Sequence, residues 1–312
     1  MDPAGELRIE LRLRARAGRC EVAAASLRVE RPRIAQRLVG LRPEQGIELV
    51  GTIHAVCAAA HRWAAQQAVE AARGRRPGRA TRIAAGRAIR AEALREHARH
   101  LFLEWPRVLG AAPTRELAAA CWRIAGLPPG ESRRLQAAGI RPAFDEACAG
   151  LRRALRERLA VLLGNAGPAR TEVQIEARLA ARIEAARLAL SRQAAVARLR
   201  EAQEPAEVSE AAVPVPYAAN AMRHGAGAAT TARGRLEHRA SLAPGTDGIE
   251  RIAAYEIDAP TDRHFAPDAG VADALQSLRA PDAAALLAAA GCLVLSHDPC
   301  VAWRIETAAE AA

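Results

Sequence analysis

The stretch GTIHAVCAAAHRWAAQQAVEAA, Gly51 to Ala72, reads as a helix, and it places His54, Cys57 and His61 three and four residues apart. On a helix those spacings bring all three side chains to one face, where a single ion or cluster could touch more than one of them. A buried cysteine beside a hydrogen-bonded histidine is also ordinary packing, so the stretch alone does not decide between a metal site and a core helix.

Outward from this stretch, Val50 to about Gln203 is rich in Ala, Leu, Arg and Glu, the composition of a helical bundle. Breaks fall at RGRRPGR, LPPGE, GIRP and NAGPA. Before the bundle, Leu7, Ile9, Leu11 and Leu13 alternate with charged residues, the two-residue period of a half-buried strand. Gly18 turns the chain into a second strand over Glu21 to Val29. Behind the bundle, Glu204 to Asn220 combines proline with acids and reads as a linker or surface loop. Two strands follow around a Pro-Gly and Asp-Gly turn, with Leu236, His238, Ala240 and Leu242 on one face. Helices are expected in DAGVADALQSLRA and PDAAALLAAA, and the apolar piece GCLVLSHDPC then delivers Cys300. The expected class is α+β: one domain over 1–312, with a β segment at 1–49, a mainly helical bundle at 50–203, a linker at 204–220, and small hairpins with a cysteine motif at 221–312.

Composition narrows the functions. All 45 basic residues of the 312-residue chain are arginine, so P-loop and Schiff-base lysine chemistry are excluded. The formal charge of +10 suits an acidic protein partner; with 3% aromatic residues there are few stacking platforms, and no nucleic-acid role is expected. The longest apolar run, Ala283 to Leu295, falls short of the about 20 residues of a membrane span. The acidic start MDPAGELRIEL lacks the pattern of a signal peptide, and the expected location is the cytoplasm. Cys20, Cys57, Cys121, Cys148, Cys292 and Cys300 form no CxxC pair, which argues against a zinc ribbon or a disulfide framework. Cys20, Cys121, Cys148 and Cys292 are read as small apolar fillers. His97 and His100, near Glu96 and Glu104, are read as a solvated helix face, although a second metal site would have the same spacing.

The C-terminal SHDPCVAWRIE, taken with GTIHAVCAAAH, TTARGRLEH and APT, resembles the large subunit of nickel-iron hydrogenases, whose cysteine motifs run RxCGxCxxxH near the start and DPCxxCxxH at the end. In that family four thiolates hold the metals. Here His54 stands at the first cysteine of the opening motif, Cys57 keeps the second, and His61 matches the family's histidine. At the other end Cys300 matches the first cysteine, Trp303 replaces the second and Glu306 the final histidine. Tryptophan donates no electron pair to a metal, so a four-sulfur nickel site with two bridges cannot form in the family's manner. The iron side is better preserved. The resemblance implies that Arg233 in ARG and Thr261 in APT donate hydrogen bonds to the cyanide ligands of the iron, although Ala232 replaces the usual proline and Arg263-His264 a usual Trp-Asn. PAGELRIE puts Ala4 where the family carries a proton-passing glutamate.

These losses are similar to those of the large-subunit-like accessory proteins of hydrogenase assembly, the HupK/HoxV type. EALREHARHLFLEWPRVLG and RHGAG…TTARGRLEH support that likeness. The resemblance implies a non-enzymatic scaffold for iron with cyanide and carbonyl ligands, working with hydrogenase maturation proteins and the hydrogenase large subunit. Cys57 and Cys300 are then the metal ligands; Arg233, Thr261, His61 and His54 surround the fragment, and nickel is left open. Hydrogen bonding to Cys57 is the expected role of His54. Two alternatives stand beside this one: a redox enzyme with a mononuclear iron or zinc among His54, Cys57, His61 and Cys300, and a metal-free protein-binding chaperone.

Overall fold

Leu7, Ile9 and Leu11 form the expected buried row of a strand, each with no exposed surface, while Leu13 is half-buried. The computed structural model describes residues 5–164, 170–195 and 222–309; Glu204 to Asn220, expected as a linker, lies outside them. In chain order the structure has strands β1 (Glu6–Arg16) and β2 (Arg19–Glu30), then helices α1 (Ile34–Leu38), α2 (Pro43–Ile53), α3 (Ala58–Ala72) and α4 (Arg79–Arg99). Helices α5 (Trp105–Leu109), α6 (Arg115–Gly126), α7 (Pro129–Leu135), α8 (Arg141–Leu163) and α9 (Arg170–Ala195) complete the helical region. Strands β3 (Arg223–Thr231), β4 (Gly234–Pro244) and β5 (Glu250–Asp258) follow. The chain ends with α10 (Pro260–His264), α11 (Val271–Gln276), β6 (Arg279–Ala280), α12 (Ala283–Ser296) and β7 (Ala302–Ala309). This is a mixed α+β fold, mostly helical, as the composition suggests.

The elements group into two compact units, one comprising Met1–Glu30, Leu94–Arg198 and Thr261–Ala312, the other Arg31–Ala93 and Leu199–Pro260. In the first unit the sheet has the order β6-β2-β1-β7. Strands β1 and β2 form an antiparallel hairpin around Gly18, whose φ of 72° suits a residue without Cβ. On the other side of β1, the terminal strand β7 runs parallel to it, with Trp303 opposite Leu7 and Glu306 opposite Glu10. The bundle of this unit rests on periodic stripes. Helix α8 buries Phe144, Cys148, Leu151, Leu155, Leu159 and Leu162, and α9 buries Ile175, Leu179, Ile183, Ala186 and Leu190, spacings of three and four that put each set on one face. The expected C-terminal helix is longer than its first half indicates. GCLVLS continues α12 as far as Ser296, so a helix and not an extended apolar piece leads into the DPC motif.

In the second unit, Leu236, His238, Ala240 and Leu242 lie on one buried face of β4, as their alternation indicates. The expected hairpin is the second half of a three-stranded antiparallel sheet, β3-β4-β5. Helix α3 packs on β3. Its alanines 65, 68 and 72 join Val69, Leu242, Ile252 and Leu38 in one core cluster, while Ala60, Trp63 and Ala64 pack with Ala229, Leu236 and Ala259 in a second. Arg73, just past α3, ties this unit together: it bonds Glu44 of α2 at 2.7 Å, Glu70 of α3 at 3.1 Å and Glu250 of β5 at 2.8 Å.

Candidate functional site

The opening motif is not one helix. Helix α2 ends at His54, whose φ of −91° and ψ of 57° leave the helical region; a 3₁₀ turn spans Ala55–Cys57, and Cys57 itself is non-helical at φ −135° and ψ 40°. The expectation of three side chains on one continuous helical face therefore fails at His54 and Cys57. The chain breaks here because the start of α3 is capped from elsewhere. Glu92 of α4 accepts the backbone N–H groups of Ala59 at 2.6 Å and Ala60 at 3.2 Å, filling two of the donors that a helix start leaves open. Cys57 is thus the buried residue immediately before the first turn of α3. Replacing Glu92 by alanine is expected to cost about 1–2 kcal/mol, the range of a lost N-terminal cap, measurable as a fall in the urea midpoint.

The break still brings two of the three residues together. The rings of His54 and His61 stack, centroids 3.7 Å apart and planes 12° from parallel. His54 Nδ1 donates to the Val50 carbonyl at 2.9 Å. A carbonyl only accepts, so this nitrogen carries the ring proton. His61 Nδ1 lies 2.9 Å from Nε2 of His238, and His238 Nδ1 lies 2.7 Å from the hydroxyl of Tyr255.

All three of these residues are buried, His238 completely. Burial, reinforced by the charge His54 would carry if protonated, pushes the imidazole of His238 down to about 3. His61 falls well below the usual histidine range for the same first reason, with His54, His238 and Arg31 opposing its charge. Burial raises the Tyr255 phenol. Between two neutral imidazoles one proton is shared, so the chain has two settings. In one, Tyr255 donates to His238, His238 to His61, and His61 carries its own proton on Nε2. In the other, His61 donates to His238 and His238 to Tyr255, which leaves a lone pair on His61 Nε2. The array can hold or pass a proton beside the His54–Cys57 turn.

His238 and Tyr255 were not among the expected site residues. The available signal was a histidine on an otherwise apolar strand face, which needs a buried partner. Arg233 occupies the β3–β4 turn, where its backbone N–H donates to Thr231 Oγ1 at 3.1 Å; it is 8% exposed and so is not one of the many surface arginines.

Thr261 is fully buried in α10, and its hydroxyl makes two contacts with one residue. It donates to the Sγ of Cys300 at 3.0 Å and accepts the Cys300 backbone N–H at 3.2 Å. The hydroxyl thus fixes both the sulfur and the backbone of Cys300 from one side. His54, Cys57, His61 and Arg233 belong to one unit and Thr261 and Cys300 to the other. Three of the four expected filler cysteines, Cys121, Cys148 and Cys292, are buried, and burial pushes each thiol up to about 12, whereas Cys20 is only half-buried. His97 and His100 do not lie on a solvated face. They are 4% and 1% exposed, and Glu96 is buried beside them.

No protein-family model matches the chain. Single relatives do, along nearly its whole length. The hydrogenase expression/formation protein HupV of Azotobacter chroococcum is 29% identical over 97% of this chain and 98% of its own. The corresponding HupK of Rhizobium leguminosarum is 28% identical over 97% of this chain and 96% of its own. This chain is similar to the HupK- and HupV-type hydrogenase expression/formation proteins. Its fold is that of a nickel-iron hydrogenase large subunit. The [NiFeSe]-hydrogenase of Dm. baculatum superimposes with a TM-score of 0.66 at 14% identity, over 92% of this chain and 95% of that one. Among the described residues, no helix is long and apolar enough to cross a membrane.

Proposed function

We propose that this chain is a non-catalytic carrier of the iron fragment with its cyanide and carbonyl ligands, receiving it from maturation proteins and delivering it to the hydrogenase large subunit. Cys57 and Cys300 supply the thiolates. Arg233, Thr261, His61 and His54 provide donors and neutral polar groups around the cargo. The observation that carries this reading is the Thr261–Cys300 pair, a buried hydroxyl aimed at one sulfur of the DPC motif. Buried Arg233 suits the same cargo, because an anionic cyanide out of water needs a charge-assisted donor. Loss of two of the four family thiolates also favours release: fewer soft ligands hold the fragment less tightly, and thiolate ligation weakens as protons compete.

The test is anaerobic purification after co-expression with the maturation proteins, followed by infrared spectroscopy and iron, nickel and zinc analysis. Cyanide and carbonyl stretching bands with about one iron per chain are expected in the native protein, and their loss in both Cys57→Ala and Cys300→Ala. Absence of the bands from the native protein overturns the carrier reading. Firmly held zinc without diatomic bands would point to the mononuclear-metal alternative. Normal hydrogenase maturation in the Cys57→Ala/Cys300→Ala double variant would point to a chaperone that needs no metal.

A further inference from the structure

Asp298, two residues before Cys300, has a φ of 50°. Among the described residues only Ala17, in the β1–β2 turn, is another non-glycine residue with positive φ. Its place explains the angle. The N–H of His297 bonds to Val294 and that of Asp298 to Leu295, so Asp298 is the residue just past the end of α12, where glycine usually makes the left-handed turn. Pro299 further restricts the residue before it. An aspartate here adds a carboxylate that glycine would not, and that carboxylate is almost entirely buried. Its Oδ2 lies 2.6 Å from a guanidinium nitrogen of Arg182 on α9, and its Oδ1 3.1 Å from Nδ1 of His100.

His100 is fixed as well. It opens the π-helical turn His100–Glu104 between α4 and α5, and its Nε2 lies 3.0 Å from the indole Nε1 of Trp105. Indole only donates, so Nε2 is the bare nitrogen and Nδ1 carries the proton, which faces Glu104 Oε2 at 3.1 Å as well as Asp298. The same logic argues against a metal ion here, although ligand atoms of His100, Glu104 and Asp298 lie within 4.8 Å of one another. A metal on Nδ1 would drive the ring proton onto Nε2, against the Trp105 N–H. A buried ion pair of this kind contributes little net stability but fixes geometry.

We propose that Arg182 and His100 are positioning residues for Cys300, acting through the Asp298 carboxylate. They hold the left-handed turn in one orientation, Pro299 transmits it with a fixed φ, and the Cys300 backbone N–H and sulfur thereby meet Thr261. The inference rests on the carrier reading only for the use made of the thiolate. Its test is therefore run on the metal-free, full-length chain: peptide-resolved alkylation rates of Cys300, Cys20 and Cys292 with iodoacetamide.

Asp298→Gly keeps the backbone comfortable while removing the anchor, and it is expected to speed Cys300 alkylation about fivefold or more, the factor that small local free-energy changes carry. The rates at Cys20 in β2 and Cys292 in α12 should not move, whereas a general loosening would raise all three. Asp298→Asn, which tolerates the left-handed turn and retains an acceptor, should stay within about twofold of the native rate. Arg182→Gln should behave like Asp298→Gly. If that variant does not fold, the double change Arg182→Gln/Asp298→Asn, which leaves no buried charge in the pair, takes its place with the same expected rise. Native Cys300 rates in Asp298→Gly, or equal acceleration at Cys292, overturn the proposal. A faster Cys300 in a chain that never shows infrared bands would leave positioning intact and remove the carrier reading.

Discussion

Replacing Gly227 by valine is expected to destabilise the protein by about 3 kcal/mol or more, at the upper end of what overpacking costs. A Cβ at this position would lie 2.2 Å from the carbonyl oxygen of Ala64 and 2.6 Å from the amide nitrogen of Ala68, both backbone atoms of α3 that no side-chain rotation can clear. Gly225 is in the same situation, 2.2 Å from the carbonyl of Ala68. The glycines of β3 and the alanines of α3 thus let the helix backbone lie directly on the strand. The consequence reaches the site, because Gly227 pairs with His238 across the sheet while His61 sits on the helix that would be displaced. The check is urea unfolding. Gly227→Val should lower the midpoint strongly, whereas Gly150→Ala in α8, where an added methyl meets nothing within 4 Å, should raise stability by about 0.5–1 kcal/mol.

That glycine strand also shows where the sequence was legible and where it was not. The period of two in Leu7, Ile9 and Leu11, the face Leu236–His238–Ala240–Leu242 and the stripes of α8 and α9 are local patterns, and the structure contains them all. Strand β3 carries no such mark, since RHGAGAATT has the composition that strands ordinarily avoid and is explained only by the helix packed against it. The break at His54 and Cys57 is invisible for a related reason. No proline or glycine stands between His54 and His61, and the group that caps α3 is Glu92, more than thirty residues away. Burial of His100 depends on Trp105, next to it, but also on Asp298, almost two hundred residues further along. The family resemblance pointed to Cys300 and Thr261 separately; their double hydrogen bond is a property of the fold.

Acid should unfold this protein well before its carboxylates protonate. His238 and His297 are neutral in the folded state, both pushed down to about 3, His238 by burial and then the His54 charge, His297 by burial and then Arg178 and His264. In the unfolded chain each titrates near 6.5. The folded pKa lies below the unfolded one, so their contribution is complete above about pH 6.5 and is lost as pH falls toward 3, the unfolded chain taking up protons that the folded one refuses. Below pH 6.5 each such histidine costs about 1.4 kcal/mol per pH unit. The two together then remove about 4 kcal/mol by pH 5, a large share of a typical folding free energy. Carboxylates held low by arginine, such as Glu21 beside Arg14, act at lower pH and leave the window between pH 6.5 and 5 to the histidines. Urea midpoints at pH 7.5, 6 and 5 should fall steeply. In His238→Gln, whose amide can still bridge His61 and Tyr255, the slope of stability against pH should lessen by about 1.4 kcal/mol per pH unit. An unchanged slope in that variant would mean that His238 accepts a proton inside the fold, and the neutral His61–His238–Tyr255 array would have to be abandoned.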